Sequence, residues 1–129
     1  MTILLDTCVI IDALLRRRGR WELLRNLQGE GHSFACCAIT IAEVYSGMRP
    51  EEARATSELF DNLWYVVTSR EAARNAGVLR AKWRQHGKTL SLPDAMIAAV
   101  ALAENLTLAT DNVKDFPMPD LKLLDLPTT

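Results

Sequence analysis

The sequence of residues 91–116 is SLPDAMIAAVALAENLTLATDNVKDF, and it combines a helix, a strand and a turn. Proline is favoured in the first turn of a helix, so Pro93 and the apolar residues after Asp94 predict a helix over residues 93–104. A short apolar strand follows at residues 106–109. The next turn contains three polar residues: Asp111, Asn112 and Asp115. A helix that leads into a short strand is typical of α/β folds.

The rest of the chain repeats this alternation of helices and strands. Short apolar segments predict strands at residues 2–5, 33–37, 64–67 and 121–124. Helices are predicted between them, at residues 7–18, 21–27, 40–47, 50–62 and 69–85. This order predicts an α/β fold with three layers, α/β/α, around a short and mainly parallel central sheet. There is no internal repeat or linker, so we expect a single domain over residues 1–129.

The composition is that of a globular protein outside the membrane. The chain has 129 residues, 49% hydrophobic and 24% charged, which is enough to bury a core. No apolar stretch reaches the roughly 18 to 20 residues that span a bilayer, and Asp6 and Asp12 interrupt the first apolar segment. Three cysteines, two of them adjacent, fit neither a disulfide framework nor a zinc site: Cys8, Cys36 and Cys37. We therefore expect a cytoplasmic location and cysteines that act as small buried hydrophobic residues.

Basic residues are clustered although the formal net charge is only −1. One cluster lies in residues 16–25 and another in residues 70–88, whereas acidic residues dominate after residue 91. The clusters are either solvated helix faces or surfaces that hold a polyanion beside an acidic site. The candidates for the second role are Arg16, Arg17, Arg18 and Arg20, followed by Arg80, Lys82 and Arg84.

Acidic residues occur at four predicted strand ends or helix starts. They are Asp6, Glu43, Asp94 and the turn that contains Asp111 and Asp115. Ligand sites in parallel α/β sheets lie at the carboxyl ends of the strands, so we expect these side chains to meet at one edge. Like charges gathered there require raised pKa values or a bound cation. Because the set offers only oxygen ligands, it favours Mg²⁺ or Mn²⁺ over zinc.

Each acidic residue also has a purely structural interpretation. Asp6 could cap the helix that follows it, and Asp111 and Asp115 could be turn residues. The spacing of a capping box, a Ser or Thr followed three residues later by an acid, occurs twice: Thr40 with Glu43, and Ser91 with Asp94. The metal site is therefore predicted from the set of acids and from no single member.

Three motifs resemble those of PIN-domain ribonucleases, and more narrowly those of the VapC toxins of bacterial toxin–antitoxin pairs. They are LLDTCVIID at residues 4–12, TIAEVYSG at residues 40–47, and the stretch at residues 91–116. The resemblance covers residues 3–124. It implies a PIN fold and Mg²⁺- or Mn²⁺-dependent endoribonuclease activity on structured RNA, often transfer RNA. It also implies a homodimer that is inhibited by a small VapB-type antitoxin.

The resemblance implies roles for individual acids. Asp6, Glu43 and Asp94 match the acidic residues of the first, second and third motifs of the family. We expect Asp6 and Asp94 to hold the metal ion directly, and Glu43 and the fourth acid to reach it through water or a second ion. Glu43 is also expected to orient or deprotonate the attacking water. Thr7 and Thr110 match hydroxyl positions that support the acidic cluster in the family.

The fourth acidic position departs from the family pattern. The family shows Thr-x-Asp or Thr-x-Asn followed by a second acid before Phe, whereas residues 110–116 here are TDNVKDF. Asn112 occupies the usual slot, Asp111 precedes it, and Asp115 stands before Phe116. We expect Asp115 to complete the site, with Asp111 or Asn112 as the alternative fourth ligand.

The first two helices carry a run of apolar residues that either enter the core or form a groove for a partner helix: Ile11, Leu14, Leu15, Trp21, Leu24 and Leu27. By the family resemblance, the partner would be the antitoxin.

Two other functions fit parts of the sequence. A non-catalytic PIN-like module that binds RNA or protein would have the same fold. A Mg²⁺-dependent phosphatase of the haloacid dehalogenase type also begins with a strand that ends in an aspartate, as at Asp6. That mechanism requires a second aspartate two residues later, where this chain has Cys8.

Overall fold

Five short strands form a parallel sheet at the centre of the molecule. The computed structural model describes residues 1–127, so Thr128 and Thr129, the end of the predicted domain, lie outside the described residues. The strands are β1 (Thr2–Leu5), β2 (Ser33–Cys37), β3 (Trp64–Val66), β4 (Thr107–Ala109) and β5 (Leu123–Leu124). Their order across the sheet is β3-β2-β1-β4-β5, and every neighbouring pair is parallel. The predicted parallel sheet is confirmed.

Helices connect the strands and cover both faces of the sheet. They are α1 (Thr7–Leu14), α2 (Arg20–Gly29), α3 (Ala38–Ser46), α4 (Ala53–Asp61), α5 (Arg70–Gln85) and α6 (Leu92–Ala103). Short 3₁₀ turns occupy Pro50–Glu52 and Val113–Asp115. Ser69 and Ser91 cap α5 and α6, since each hydroxyl accepts a hydrogen bond from a backbone N–H in the first turn of its helix. No helix in residues 1–127 is long and apolar enough to cross a membrane.

The core has two parts because successive residues of a strand face opposite sides of the sheet. Leu4 and Leu108 pack with α5 and α6 on one face. Ile3 and Leu5 pack with α1 and α2 on the other face. The three-layer α/β/α arrangement is therefore confirmed. Cys36 and Cys37 are buried as predicted, whereas Cys8 is only partly buried.

Two local predictions were wrong. Thr40 does not begin a helix with Glu43 in a capping box, because α3 already starts at Ala38 and Thr40 is fully buried inside it. The first helix ends at Leu14 and does not continue to residue 18. The backbone turns into the left-handed region at Arg16 and Arg18, with φ of 54° and 58°, and this region is incompatible with a continuing α-helix.

The strand order places the start of the chain at the centre of the sheet. From β1 the chain passes outward to β2 and β3, and it later returns to the other side of β1 to form β4 and β5. Such a reversal leaves a crevice at the carboxyl ends of the two central strands. Asp6 follows β1 directly, and its backbone N–H donates a hydrogen bond of 3.0 Å to the carbonyl of Ala109 at the end of β4.

Candidate active site

Asp6 lies at the centre of this edge and is 4% exposed. Its Oδ1 accepts a hydrogen bond of 2.8 Å from the backbone N–H of Thr7. Its Oδ2 accepts one of 2.7 Å from the hydroxyl of Thr110, the residue that follows β4. Both oxygens of this carboxylate are thus oriented by residues next to the ends of β1 and β4.

Glu43 reaches the same edge from α3, the helix that follows β2. The hydroxyl of Thr7 donates a hydrogen bond of 2.7 Å to its Oε1. Thr7 therefore contacts both acids, with its backbone N–H on Asp6 and its side chain on Glu43. This shared contact brings together two carboxylates that are far apart in the sequence.

Asp94 lies in the first turn of α6 and is partly buried. Burial is the main cause of the raised pKa of its carboxyl group, and hydrogen bonding to Ser91 opposes the shift. The negative charges of Asp6, Asp115 and Glu43 raise the pKa of Asp94 further. Asp6, Asp115 and Glu43 are therefore close enough for their charges to act on Asp94.

The chemistry of these donors fits Mg²⁺ or Mn²⁺, because the four acids provide only carboxylate oxygens. A divalent cation would also relieve the repulsion that raises the pKa of Asp94. Within residues 1–127, however, no three His, Cys, Asp or Glu side chains already surround one point as ligands. An ion at this edge would thus be held after some rotation of the acidic side chains or through bridging water.

The three candidates for the fourth ligand have different surroundings. Asp111 is engaged elsewhere, because its carboxylate forms ion pairs with Arg20 at 2.7 Å and with Arg18 at 3.3 Å. The backbone N–H of Asn112 donates to the Thr110 hydroxyl, and its side-chain amide lies 3.8 Å from the Cys8 sulfur. Asp115 is the candidate whose charge acts on Asp94. These contacts favour Asp115, whose role as a ligand stays a prediction.

Arg20 corrects one sequence-based prediction. It was expected on a surface that holds a polyanion, but its side chain is only 1% exposed and its guanidinium pairs with Asp111. Nothing in the sequence pairs these two residues, which are separated by 91 positions. Arg16, Arg17 and Arg18 from the same cluster are exposed, as are Lys82 and Arg84 in the second cluster. Arg80 is partly buried and donates a hydrogen bond to the carbonyl of Leu90.

Cys8 occupies the position where a haloacid dehalogenase phosphatase would need its second aspartate. Burial, followed by the negative charge of Asp6, raises the pKa of the Cys8 thiol to about 11. The thiol therefore stays protonated at neutral pH, and it lies 3.6 Å from Oδ2 of Asp6. A neutral thiol cannot replace the carboxylate that this phosphatase mechanism requires.

Two grooves flank α1, and apolar side chains line much of each, with charged ones such as Arg16 and Glu58 in one and Glu51 and Glu52 in the other. One has a volume of about 370 Å³ and is lined in part by Leu14, Trp21 and Leu24. The other has a volume of about 220 Å³ and is lined in part by Ile11, Leu14 and Leu15. Leu24 is also a buried core residue, and Ile11, Leu14 and Leu27 pack against the same core.

The chain matches the family model of the PIN domain over residues 3–117. Ribonuclease VapC19 of Mycobacterium tuberculosis is 30% identical over 120 residues, which cover 92% of this chain and 96% of the relative. Ribonuclease VapC10 of the same species is 32% identical over 116 residues, which cover 90% of this chain and 86% of the relative.

Solved structures agree with this assignment. The structure of VapBC2 from Rickettsia felis, bound to a DNA fragment from its promoter, matches with a TM-score of 0.81 and 27% identity; the match covers 98% of this chain and 100% of that one. VapBC-1 from nontypeable Haemophilus influenzae matches with a TM-score of 0.80 and 25% identity, covering 97% of this chain and 98% of that one. The chain belongs to the PIN domain family and groups with its VapC proteins.

Proposed function

We propose that this protein is a Mg²⁺- or Mn²⁺-dependent endoribonuclease and the toxin of a toxin–antitoxin pair. The observation that carries the proposal is the contact of Thr7 with both Asp6 and Glu43 at the switch point of the sheet, where Thr110 also orients Asp6. The negative charges of Asp6, Asp115 and Glu43 act on Asp94, which supports a shared site. Further support comes from the relatives, which are named as ribonucleases.

The proposed roles follow from the contacts of each acid. Asp6 and Asp94 would hold the cation, with Asp115 as the fourth acid. When bound, the cation lowers the pKa of a bound water and neutralises charge on the scissile phosphate. Glu43 would orient or deprotonate the attacking water. Its hydrogen bond from Thr7 uses Oε1, which leaves the other oxygen to accept a proton.

RNA would contact the exposed arginines of the loop between α1 and α2. Arg18 lies at the correct edge of the sheet, because it is 3.3 Å from Asp111, the neighbour of Thr110. Exposed Lys82 and Arg84 on α5 form a second basic surface. Phosphate contacts of this kind make binding strongly salt-dependent. The substrate class is structured RNA such as transfer RNA.

The proposal is tested by incubating the purified protein with total RNA in the presence of Mg²⁺, Mn²⁺ or EDTA, and then sequencing the RNA 5′ ends. We expect new 5′ ends with either metal and none with EDTA. A module that only binds RNA would retard it without producing ends. A phosphatase would release phosphate from a phosphate monoester and leave the RNA chain intact. Either of these two results would overturn the proposal.

Asp94→Asn should raise the melting temperature of the metal-free protein at neutral pH. The pKa of Asp94 is raised in the folded state, so its charged form destabilises the fold at pH values above that pKa. The effect fades as the pH falls towards the pKa of the unfolded chain. We therefore expect the wild type and the variant to melt together in acid.

Adding Mn²⁺ should reverse this order, because ligand binding stabilises the wild type more than a variant that lacks one carboxylate. Thermal shift measurements with EDTA and with Mn²⁺, at neutral and acidic pH, check both statements. Asp120→Asn is the control, since Asp120 is exposed and outside the acidic set. Identical metal responses of wild type and Asp94→Asn would contradict the role of Asp94.

We further propose that a VapB-type antitoxin inhibits this protein by laying an apolar helix along α1. Support comes from the two grooves, which share Leu14 and are both lined by apolar residues of the first helices. Exposed apolar grooves of this size commonly accept the apolar face of a partner helix. A similar structure with 28% identity is that of a toxin–antitoxin complex from Klebsiella pneumoniae, which is consistent with this partner.

Leu15→Asp should weaken binding of the antitoxin about tenfold to a hundredfold, because it puts a charge on an apolar contact. Leu15 is 40% exposed, so the change should leave the fold intact. Calorimetry with the antitoxin encoded beside the gene measures the effect. Val78→Asp is the matched control, as Val78 is 59% exposed and lies on α5, away from both grooves. Equal affinities for the two variants would exclude this docking surface.

The homodimer implied by the family resemblance is also proposed. Light scattering on the purified protein should give a particle mass of twice 14.4 kDa. A mass of one chain at micromolar concentration would contradict it.

A further inference from the structure

The Arg20 side chain connects three separate parts of the chain. Its guanidinium donates two hydrogen bonds to the carboxylate of Asp111, of 2.7 Å and 3.4 Å, in the turn after β4. It also donates to the carbonyl of Arg18 at 3.2 Å and to that of Pro127 at 2.9 Å. With 1% of the Arg20 side chain and 7% of the Asp111 side chain exposed, the ion pair between them is shielded from water. A planar guanidinium can satisfy all of these acceptors at once.

The Asp111 turn leads directly to the candidate active site. Asp111 is bonded covalently to Thr110, whose hydroxyl donates to Oδ2 of Asp6. The backbone N–H of Asn112 donates to that same hydroxyl oxygen at 2.9 Å. Because a hydroxyl has a single proton, this incoming bond leaves the proton for Asp6. The backbone of the turn that contains Asp111 thus directs the Thr110 proton to Asp6.

The same turn carries Asp115. The backbone N–H of Asp115 donates to the carbonyl of Asn112 at 2.9 Å, which closes the short 3₁₀ turn. An anchor on Asp111 therefore fixes both the residue that orients Asp6 and the residue whose charge acts on Asp94.

On the other side, Arg20 holds the loop that precedes α2. Arg16, Arg18 and Gly19 all have left-handed backbone conformations, with φ of 54°, 58° and 67°. Non-glycine residues keep such conformations only where surrounding contacts enforce them. The bond from Arg20 to the Arg18 carbonyl is one of these contacts.

We propose that Arg20 is a positioning residue for the metal site: its buried contact with Asp111 fixes the Thr110–Asp115 turn against Asp6. This inference rests on the proposed metal-dependent function. Asp111 is then a structural partner of Arg20 and does not bind the metal. The hydrogen bonds of Arg20 go to Asp111 and to the carbonyls of Arg18 and Pro127, so Arg20 acts on the site through the turn.

The test is Mn²⁺ binding by Arg20→Lys, measured by calorimetry on the full chain. Lysine keeps the charge, but its single ammonium cannot form the two-pronged contact with Asp111 and also bond both carbonyls. We expect Mn²⁺ affinity to fall about tenfold to a hundredfold, as for other residues that support metal ligands. If Asp111 were itself a ligand, loosening its contact with Arg20 would leave Mn²⁺ affinity unchanged or increase it. That result would overturn the proposal.

Hydrogen exchange of the Asn112 backbone amide in the metal-free protein provides a second measurement. We expect faster exchange in Arg20→Lys and in Asp111→Asn, because the turn is no longer held against Thr110. Ala76→Gly is the matched control, since it destabilises a buried position of α5 without touching the turn. This control should not change the Mn²⁺ affinity. It should also not change the exchange rate of the Asn112 amide once the loss of global stability is taken into account.

These measurements separate the two proposals. If Asp6→Asn loses Mn²⁺ binding while Arg20→Lys and Asp111→Asn keep wild-type affinity and exchange, the positioning role is wrong and the proposed function stands. If the wild type binds no Mn²⁺, both are wrong. Should Arg20→Lys fail to fold, Asp111→Asn decides alone, and unchanged exchange at Asn112 would overturn the positioning role.

Discussion

Asp6→Asn is expected to lower the rate of metal-dependent RNA cleavage about a thousandfold or more. Asp6 is the carboxylate that both Thr7 and Thr110 orient, and it lies between Glu43 and the end of β4. Removing its charge removes a proposed metal ligand, and a bound cation contributes several kcal/mol to stabilising the transition state. A fluorogenic RNA substrate, or counting of new 5′ ends, measures the loss.

The variant should stay folded, because asparagine is as good a helix cap as aspartate. Its side-chain oxygen can still accept the bond from Thr7, and the Thr110 hydroxyl oxygen can accept from the new amide. Circular dichroism and the melting temperature check this. Asp120→Asn should cleave RNA at the wild-type rate. Undiminished cleavage by both Asp6→Asn and Asp94→Asn would exclude the proposed active site.

Arg20→Ala is expected to destabilise the folded protein by about 3 to 5 kcal/mol, the largest stability loss that we expect from removing any charged residue described above. Its guanidinium and the Asp111 carboxylate are 1% and 7% exposed. Removing the arginine leaves a buried carboxylate without its main partner, and it also leaves the Pro127 carbonyl without its donor. Denaturant unfolding followed by fluorescence measures the change in the free energy of unfolding.

Arg54→Ala is the matched control for this stability effect. Arg54 and Glu58 form an ion pair of 3.2 Å on the surface of α4, with the arginine side chain 93% exposed. Pairs of this kind contribute at most about 1 kcal/mol. The double variant Arg20→Met/Asp111→Leu should recover most of the loss, because apolar residues can replace a buried ion pair without leaving a lone charge. Equal costs for Arg20→Ala and Arg54→Ala would contradict this account of the pair.

The sequence was sufficient for the fold where local signals agree with each other. Ser69 and Ser91 were predicted near the starts of α5 and α6, and each one caps its helix. The strands were also placed within about two residues, because each is a short apolar segment between helices. The parallel order then follows from the helical connections between strands.

The sequence was insufficient where the outcome depends on contacts between distant residues. The spacing of Thr40 and Glu43 fits a capping box, but Thr40 is buried in α3, since packing outweighs this weak local preference. Arg20 belongs to a cluster of exposed arginines in the sequence, and only the folded chain brings it to Asp111. Asp111 was left as an alternative ligand for the same reason.

The candidate site could be predicted from the sequence only in part. Its acids were predicted to meet because parallel strands end at a common edge, and Thr7 and Thr110 contact two of them. The sequence could not specify which carboxylates accept hydrogen bonds from hydroxyl groups and which bind a cation, because that depends on distances of a few ångströms. The identity of the metal ligands therefore stays a prediction.

Anomalous diffraction from crystals of the protein grown with Mn²⁺ tests the shared metal site most directly. We predict an anomalous peak for one Mn²⁺ ion that is coordinated by carboxylate oxygens of Asp6 and Asp94. Glu43 should lie beside this ion, and Asp111 should still be paired with Arg20. An anomalous peak at other residues would contradict the prediction. So would the absence of a peak between Asp6 and Asp94 in crystals grown at saturating Mn²⁺.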